Sequence, residues 1–166
     1  MSKILVNIES LEDIKSFKGE YDGVYVKLNP QIPVDDILTL IDDGKQVFFD
    51  FSALSATHCL GFAKNLEKEV TFVVDDFQKA IFIKTARPNA NIHIFYDGYD
   101  EMLVPFLSCN KFNLTVKYTA LAPERIQKLQ DAGVTVNGYI VNRLDEMGVL
   151  RYWNCDYITV SNDIKP

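Results

Sequence analysis

Three short apolar runs end in acid: "FFDF" at Phe51, "FVVDD" at Asp76 and "FYDG" at Gly98. Carboxylates on the ends of neighbouring strands, about 4.8 Å apart, are the donors that a hard divalent cation such as Mg2+ takes. Asp50, Asp75 and Asp76 are therefore the candidate metal ligands. An Asp just past a strand is also a common cap for the next helix, a role open to Asp76, and Asp97-Gly98 is a ready turn. The reading thus leaves two cases open: no cofactor, or one divalent cation.

Lys27 closes the apolar run "GVYVK". At the end of a strand it could hold an anionic ligand, or attack a carbonyl to form a Schiff base. The second role needs a proton shuttle, for which Asp50 or Tyr25 would serve, so Lys27 and Asp50 are the candidate catalytic residues. Pairing of Lys27 with Asp50, or extension of its stem into water, is the plainer use. His58 and Cys59 are consecutive in a helical stretch and point about 100° apart, so they form no thiol-imidazole pair. Cys59 reads as core and His58 as surface. His93, between Ile92 and Ile94, reads as a barrel-lining or helix-facing residue with a hydrogen-bond partner.

The elements that must position these groups repeat about every twenty residues. Runs rich in Val, Ile, Phe and Tyr predict strands at Lys3 to Ile8, Gly23 to Leu28, Gln46 to Phe51 and Val70 to Val74. Four more follow at Asn91 to Tyr96, Leu114 to Tyr118, Val134 to Val141 and Asp156 to Val160. Helical spacing fills the intervals: Leu11 to Phe17, Val34 to Asp42, Ser55 to Glu67, Phe77 to Thr85, Asp100 to Asn110, Pro123 to Asp131 and Leu144 to Tyr152. No linker or low-complexity stretch interrupts them, so residues 1–166 are expected to form a single α/β domain. Eight parallel strands can close, the last pairing with the first, into a small closed (β/α)8 TIM-type barrel that lacks the last helix. The alternative is an open doubly wound parallel sheet, which would leave a long exposed edge.

In a barrel the chemistry lies at the C-terminal ends of the strands. The last two loops, "VNRLDEM" and "VSNDIKP", contain no glycine for close backbone approach to a phosphate, but Asn142, Arg143, Ser161 and Asn162 could bind an anion through side chains. The chain carries 17 basic and 23 acidic residues, a net charge of -6, with no basic cluster. That excludes nucleic acid and anionic membrane surfaces as natural partners. No span reaches the roughly 20 apolar residues of a membrane helix, and three widely spaced cysteines suit reduced thiols, so a cytoplasmic location is expected.

The last third of the chain, "DAGVTVNGYIVNRLDEMGVLRYWNCDYITVSNDIKP", resembles the C-terminal part of the glycerophosphodiester phosphodiesterase family. Gly133, Val141, Asn142, the "LDEM" helix start, Asp156 and Ile158 fall into step with that pattern. Tyr139 stands in place of a Trp, and Val160-Ser161 in place of Thr-Asp. The family's catalytic elements are a His-Arg on strand one, a Glu-x-Asp on strand two and a His-Asp on strand three. Here Asn7-Ile8, then Tyr25 and Lys27, stand in the first two places, and Asp50 alone remains of the third. The resemblance implies a catalytically degenerate barrel that binds a small phosphorylated ligand or a protein partner, with Asn7 added to the ligand-binding candidates. Two alternatives stay open: a divalent-metal-dependent phosphodiester hydrolase or Lys27-based lyase, and a structural or interaction protein. A homodimer could form through the apolar surface that a missing eighth helix would leave.

Overall fold

The computed structural model describes residues 1–17, 19–41 and 44–164. Within them strands and helices alternate: β1 (Lys3–Ile8), α1 (Leu11–Ser16), β2 (Gly23–Lys27), α2 (Val34–Leu40), β3 (Gln46–Asp50), α3 (Ala56–Asn65), β4 (Thr71–Val74) and α4 (Phe77–Ala86). The order continues with β5 (Asn91–Tyr96), α5 (Leu103–Asn110), β6 (Asn113–Lys117), α6 (Pro123–Asp131), β7 (Val136–Val141), α7 (Leu144–Tyr152) and β8 (Tyr157–Val160). Every strand runs parallel to its chain neighbour, and β8 pairs with β1, Lys3 opposite Tyr157 and Val6 opposite Val160. The sheet is a closed TIM-type barrel, which excludes the open-sheet alternative.

Alternation along each strand divides the apolar side chains into two sets. Outward residues such as Ile4, Val6, Val24, Val26, Phe49, Phe72, Ile92, Val116 and Ile158 join one buried cluster with the helices. Inward residues Leu5, Tyr25, Phe48 and Val73 form a second, with Phe95, Tyr139 and Tyr157 packed against it. The lumen also buries polar side chains: Asn7, Asp50, Thr71, His93, Thr115, Asn137 and Thr159. At the base, β2 and β3 approach so closely that a Cβ on Gly23 would run into the Gln46 carbonyl.

Side-chain caps set the starts of α1, α3 and α4. Ser10 accepts from the Asp13 amide while Asp13 accepts from the Ser10 amide, a reciprocal box, and Asp76 accepts from the Lys79 amide at 2.8 Å. Some helices are shorter than their spacing predicts. Ser55 caps α3 instead of belonging to it, and Asp100 to Met102 form a turn in which the Met102 amide donates to Asp100 Oδ1 at 2.8 Å. The expected end of the second helix at Asp42 lies outside the described residues; the helix itself spans Val34–Leu40.

No helix follows β8 among the described residues, and α7 leaves Leu144, Val149 and Tyr152 exposed. Outward residues of the seam, Ile4, Val6, Ile8, Ile158 and Val160, are all buried. Ile164 beyond β8 is buried too, and Leu11, Ile14, Phe17 and Trp153 pack against the same cluster. Among the described residues no helix is long and apolar enough to cross a membrane.

Candidate functional site

All eight strands end at the C-terminal mouth of the barrel, and the groups that converge there on one side come from β1, β2, β3 and β7. Asn7, Tyr25, Lys27 and Asp50 share one side of the sheet, because Asn7 pairs in register with Tyr25 and Lys27 with Asp50, two residues further along. Asp50 does not pair with Lys27. Its Oδ2 accepts the Tyr25 hydroxyl at 2.6 Å, and its Oδ1 accepts both the Ser52 amide at 2.8 Å and the Ser52 hydroxyl at 2.6 Å. That carboxylate is buried and compensated by three donors, which is how a buried charge is tolerated. The price of freeing it for metal or proton transfer is the loss of those bonds.

Burial foremost, then the charge of Asp50 and the hydrogen bond to it, pushes the Tyr25 phenol well above its ordinary value, so Tyr25 is a fixed donor. The Tyr139 ring lies 4.8 Å from that of Tyr25, and Phe95 lies edge-on to Tyr139 at 5.5 Å. Tyr139 is also raised, by burial first and then by the charges of Asp50 and Glu9. Its hydroxyl keeps its proton at neutral pH and makes no hydrogen bond among the described residues. Asn7 is buried, donates weakly to Glu9 Oε1 at 3.5 Å, and leaves its Oδ1 unpartnered. Lys27 is exposed at the rim and makes no hydrogen bond or ion pair among the described residues.

The three candidate metal ligands are not brought together. Asp50 faces the lumen, Asp75 accepts from Lys79 Nζ at 2.7 Å, and Asp76 caps α4. Lys79 is itself buried, and its ammonium also donates to the carbonyls of Phe51 and Ser52 at 3.3 and 3.1 Å. Sequence reasoning missed this clamp, although Asp75 and Lys79 stand four apart, the spacing of a helical ion pair. No group of three His, Cys, Asp or Glu among the described residues could hold a metal. A phenol, an ammonium and one saturated carboxylate do not fit a divalent cation at the position where the family resemblance implies one.

Around β7 and β8, Arg143 forms a two-pronged pair with Asp145, at 3.0 and 2.7 Å. With Asp145 and Glu146 in its first turn, α7 presents carboxylates to any anion approaching its N-terminus. Asn142 is exposed, and the Ser161 hydroxyl, close to Asn162, lies 3.5 Å from Asp163. These four residues line the same face as Lys27 and Asn7, but Arg143 is already neutralised. The histidines fall as expected: His58 is exposed with its Nδ1 2.9 Å from Ser55 Oγ, and His93 is buried in the lumen with its Nδ1 3.1 Å from Thr115 Oγ1. Cys59 is buried, and burial pushes its thiol up to about 11.

No protein-family model matches this sequence, and no curated protein does. Solved structures do match in fold. A glycerophosphodiester phosphodiesterase from Parabacteroides distasonis aligns with a TM-score of 0.60 at 16% identity, over 76% of this chain and 57% of that one. An Oleispira antarctica phosphodiesterase, solved in complex with the product sn-glycerol-3-phosphate, aligns at 0.55 and 10% identity, over 84% and 51%. Phosphoribosyl anthranilate isomerase from Thermotoga maritima aligns at 0.67 and 12% identity, over 99% and 90%. The chain thus spans about half the length of the phosphodiesterases and nearly all of the isomerase. At such identities the likeness is one of fold.

Proposed function

We propose that this chain is a phosphodiesterase-like barrel that has given up hydrolysis and holds a small phosphorylated molecule at its mouth. The observation that carries the reading is the state of Lys27 and Asp50. Lys27 stands where the family pattern has a carboxylate and is left with no partner among the described residues, while Asp50 is fully occupied by Tyr25 and Ser52. A phosphate monoester needs positive charge and donors. Lys27 supplies the charge, and the unbonded Tyr139 hydroxyl and the weakly held Asn7 amide are donors on the same side of the barrel. Fold-level likeness to phosphodiesterases supports this reading, and the absence of general acid and base histidines from the mouth argues against turnover.

Thermal unfolding across phosphate monoesters and glycerophosphodiesters, with and without Mg2+, tests it. A monoester such as glycerol 3-phosphate should raise the midpoint independently of Mg2+, by an amount that grows with the logarithm of its excess over Kd. Lys27→Ala should abolish the rise. Mg2+-dependent hydrolysis lost in Asp50→Ala would overturn the proposal in favour of an enzyme, and silence across the whole panel would favour a protein partner.

A further inference from the structure

The opposite end of the barrel holds a second place where charge is left without a partner. A groove of about 780 Å³ opens beneath β3, β4 and β5, where Gln46, Thr71 and Asn91 at the base of the lumen meet the segment after α4. Arg87, at the C-terminal end of α4, lines it, as do Lys45 and Lys68. The Arg87 guanidinium lies 6.0 Å over the centroid of the Phe72 ring. It forms no hydrogen bond or ion pair among the described residues, and its Nη1 is buried with no acceptor.

A guanidinium cannot shed its charge, and a buried N–H without an acceptor costs free energy. What sets Arg87 apart from the exposed arginines is that it is half-buried and keeps a buried N–H without an acceptor among the described residues. Glu69 lines the same groove and does not pair with it. Among the described residues Lys45 is likewise without a carboxylate partner: its ammonium donates to the Tyr21 carbonyl and lies 4.6 Å over the Tyr21 ring. Both cations are thus held in place by aromatic faces, which leaves their charge unneutralised. With Nη1 shut off from solvent, the other N–H groups of the guanidinium are the charged donors that can meet a carboxylate or phosphoryl oxygen in the groove.

We propose that the groove at the base of the barrel is a binding site for a small oxyanion, with Arg87 as its principal ligand and Lys45 as its second cation. The site is separate from the mouth and stands whether or not Lys27 binds phosphate.

The test is an NMR titration of the full chain with inorganic phosphate and, separately, with succinate, at matched ionic strength. Saturable amide shifts are expected at Arg87, Asn89, Ala90, Asn91 and Gln46. Arg87→Gln should abolish them, Arg87→Lys should weaken binding about tenfold by removing the guanidinium while keeping the charge, and Lys27→Ala should leave them unchanged. A preference for phosphate assigns the ligand to phosphoryl compounds, and a preference for succinate to carboxylates. Absence of saturable shifts with either probe, or shifts that survive Arg87→Gln, would overturn the site. Loss of these shifts in Lys27→Ala would return the binding to the mouth and overturn it equally.

Discussion

The two halves of the barrel interior solve the same packing problem by different means. On β1 to β4, Leu5, Tyr25, Phe48 and Val73 fill the lumen with apolar and aromatic volume. On β5 to β8 the fill is a ladder of side-chain hydrogen bonds: Thr159 donates to Asn137 at 3.0 Å, Asn137 to Thr115 at 3.3 Å, and Thr115 meets the His93 ring at 3.1 Å. Each rung is 22 residues from the next, so one inward position per strand repeats in strict step. The ladder links four strands to one another and leaves few groups over. Within the aromatic half, among the described residues, side chains join β2 to β3 through Tyr25 and Asp50, and the unpartnered Asn7 oxygen and Lys27 lie there. Unsatisfied groups remain in both halves: Asn7 Oδ1 and Lys27 on β1 and β2, and the Tyr139 hydroxyl on β7 with His93 Nε2 on β5.

Phe48 is where the halves meet, with ring centroids 5.0 Å from His93, 5.0 Å from Tyr157 and 6.5 Å from Tyr25. Phe48→Ala should therefore cause the largest loss, about 3–5 kcal/mol in denaturant unfolding, because a cavity opens between two sets of neighbours that cannot both collapse into it. A loss under about 1 kcal/mol would mean that the halves are stabilised independently.

The next effect isolates the ladder. Burial lowers the His93 imidazole from 6.5 to about 3, so the folded state holds it neutral. Its contribution is complete above pH 6.5 and disappears as pH falls from there toward about 3, because protonation then favours the unfolded chain. Between pH 6.5 and about pH 5 the slope is up to about 1.4 kcal/mol per unit, near 2 kcal/mol in total. His93→Gln should flatten the profile over that range, and an unchanged profile would place the acid sensitivity elsewhere.

Tyr25→Phe probes the aromatic half. Removing the hydroxyl takes one of three donors from Asp50 and should cost about 1–2 kcal/mol, since two bonds from Ser52 remain. Guanidinium unfolding of the two proteins measures it.

Most of the scaffold was legible in the sequence. The Val and Ile alternation located β1 and β5 to the residue, and the about-twenty-residue repeat together with the terminal strand implied closure. Two helix starts were less legible, because local side-chain bonds and not hydrophobic spacing decide them: the Ser55 cap and the Asp100 turn each displaced a start. At the site, His93 was read as barrel-lining or helix-facing with a partner and is found in the lumen, and Asp76 as a cap was one of two readings. Pairing of Lys27 with Asp50, one of several readings of that lysine, was not found, although they are in register, because Tyr25 and Ser52 occupy the carboxylate. An Asp two residues before a Ser, D-x-S, carries that local bond in its spacing. The clamp by Lys79 and the stacking of Arg87 on Phe72 depend on which helix face meets which strand, and one sequence does not give that.

The smallest stability effect separates the halves most clearly in function. Lys27 makes no bond among the described residues, so Lys27→Ala should leave the unfolding free energy within about 0.5 kcal/mol of the parent. A residue that stabilised the aromatic half through Asp50 would cost more, and the loss of its charge would be felt by the buried carboxylate. If stability is unchanged while the response to glycerol 3-phosphate vanishes, the ammonium is kept for a ligand and not for the fold. If stability falls by 1 kcal/mol or more, about the worth of a charge-assisted bond, Lys27 pairs within the barrel in solution. The mouth would then have no free cation among its described residues on which a phosphate could rest.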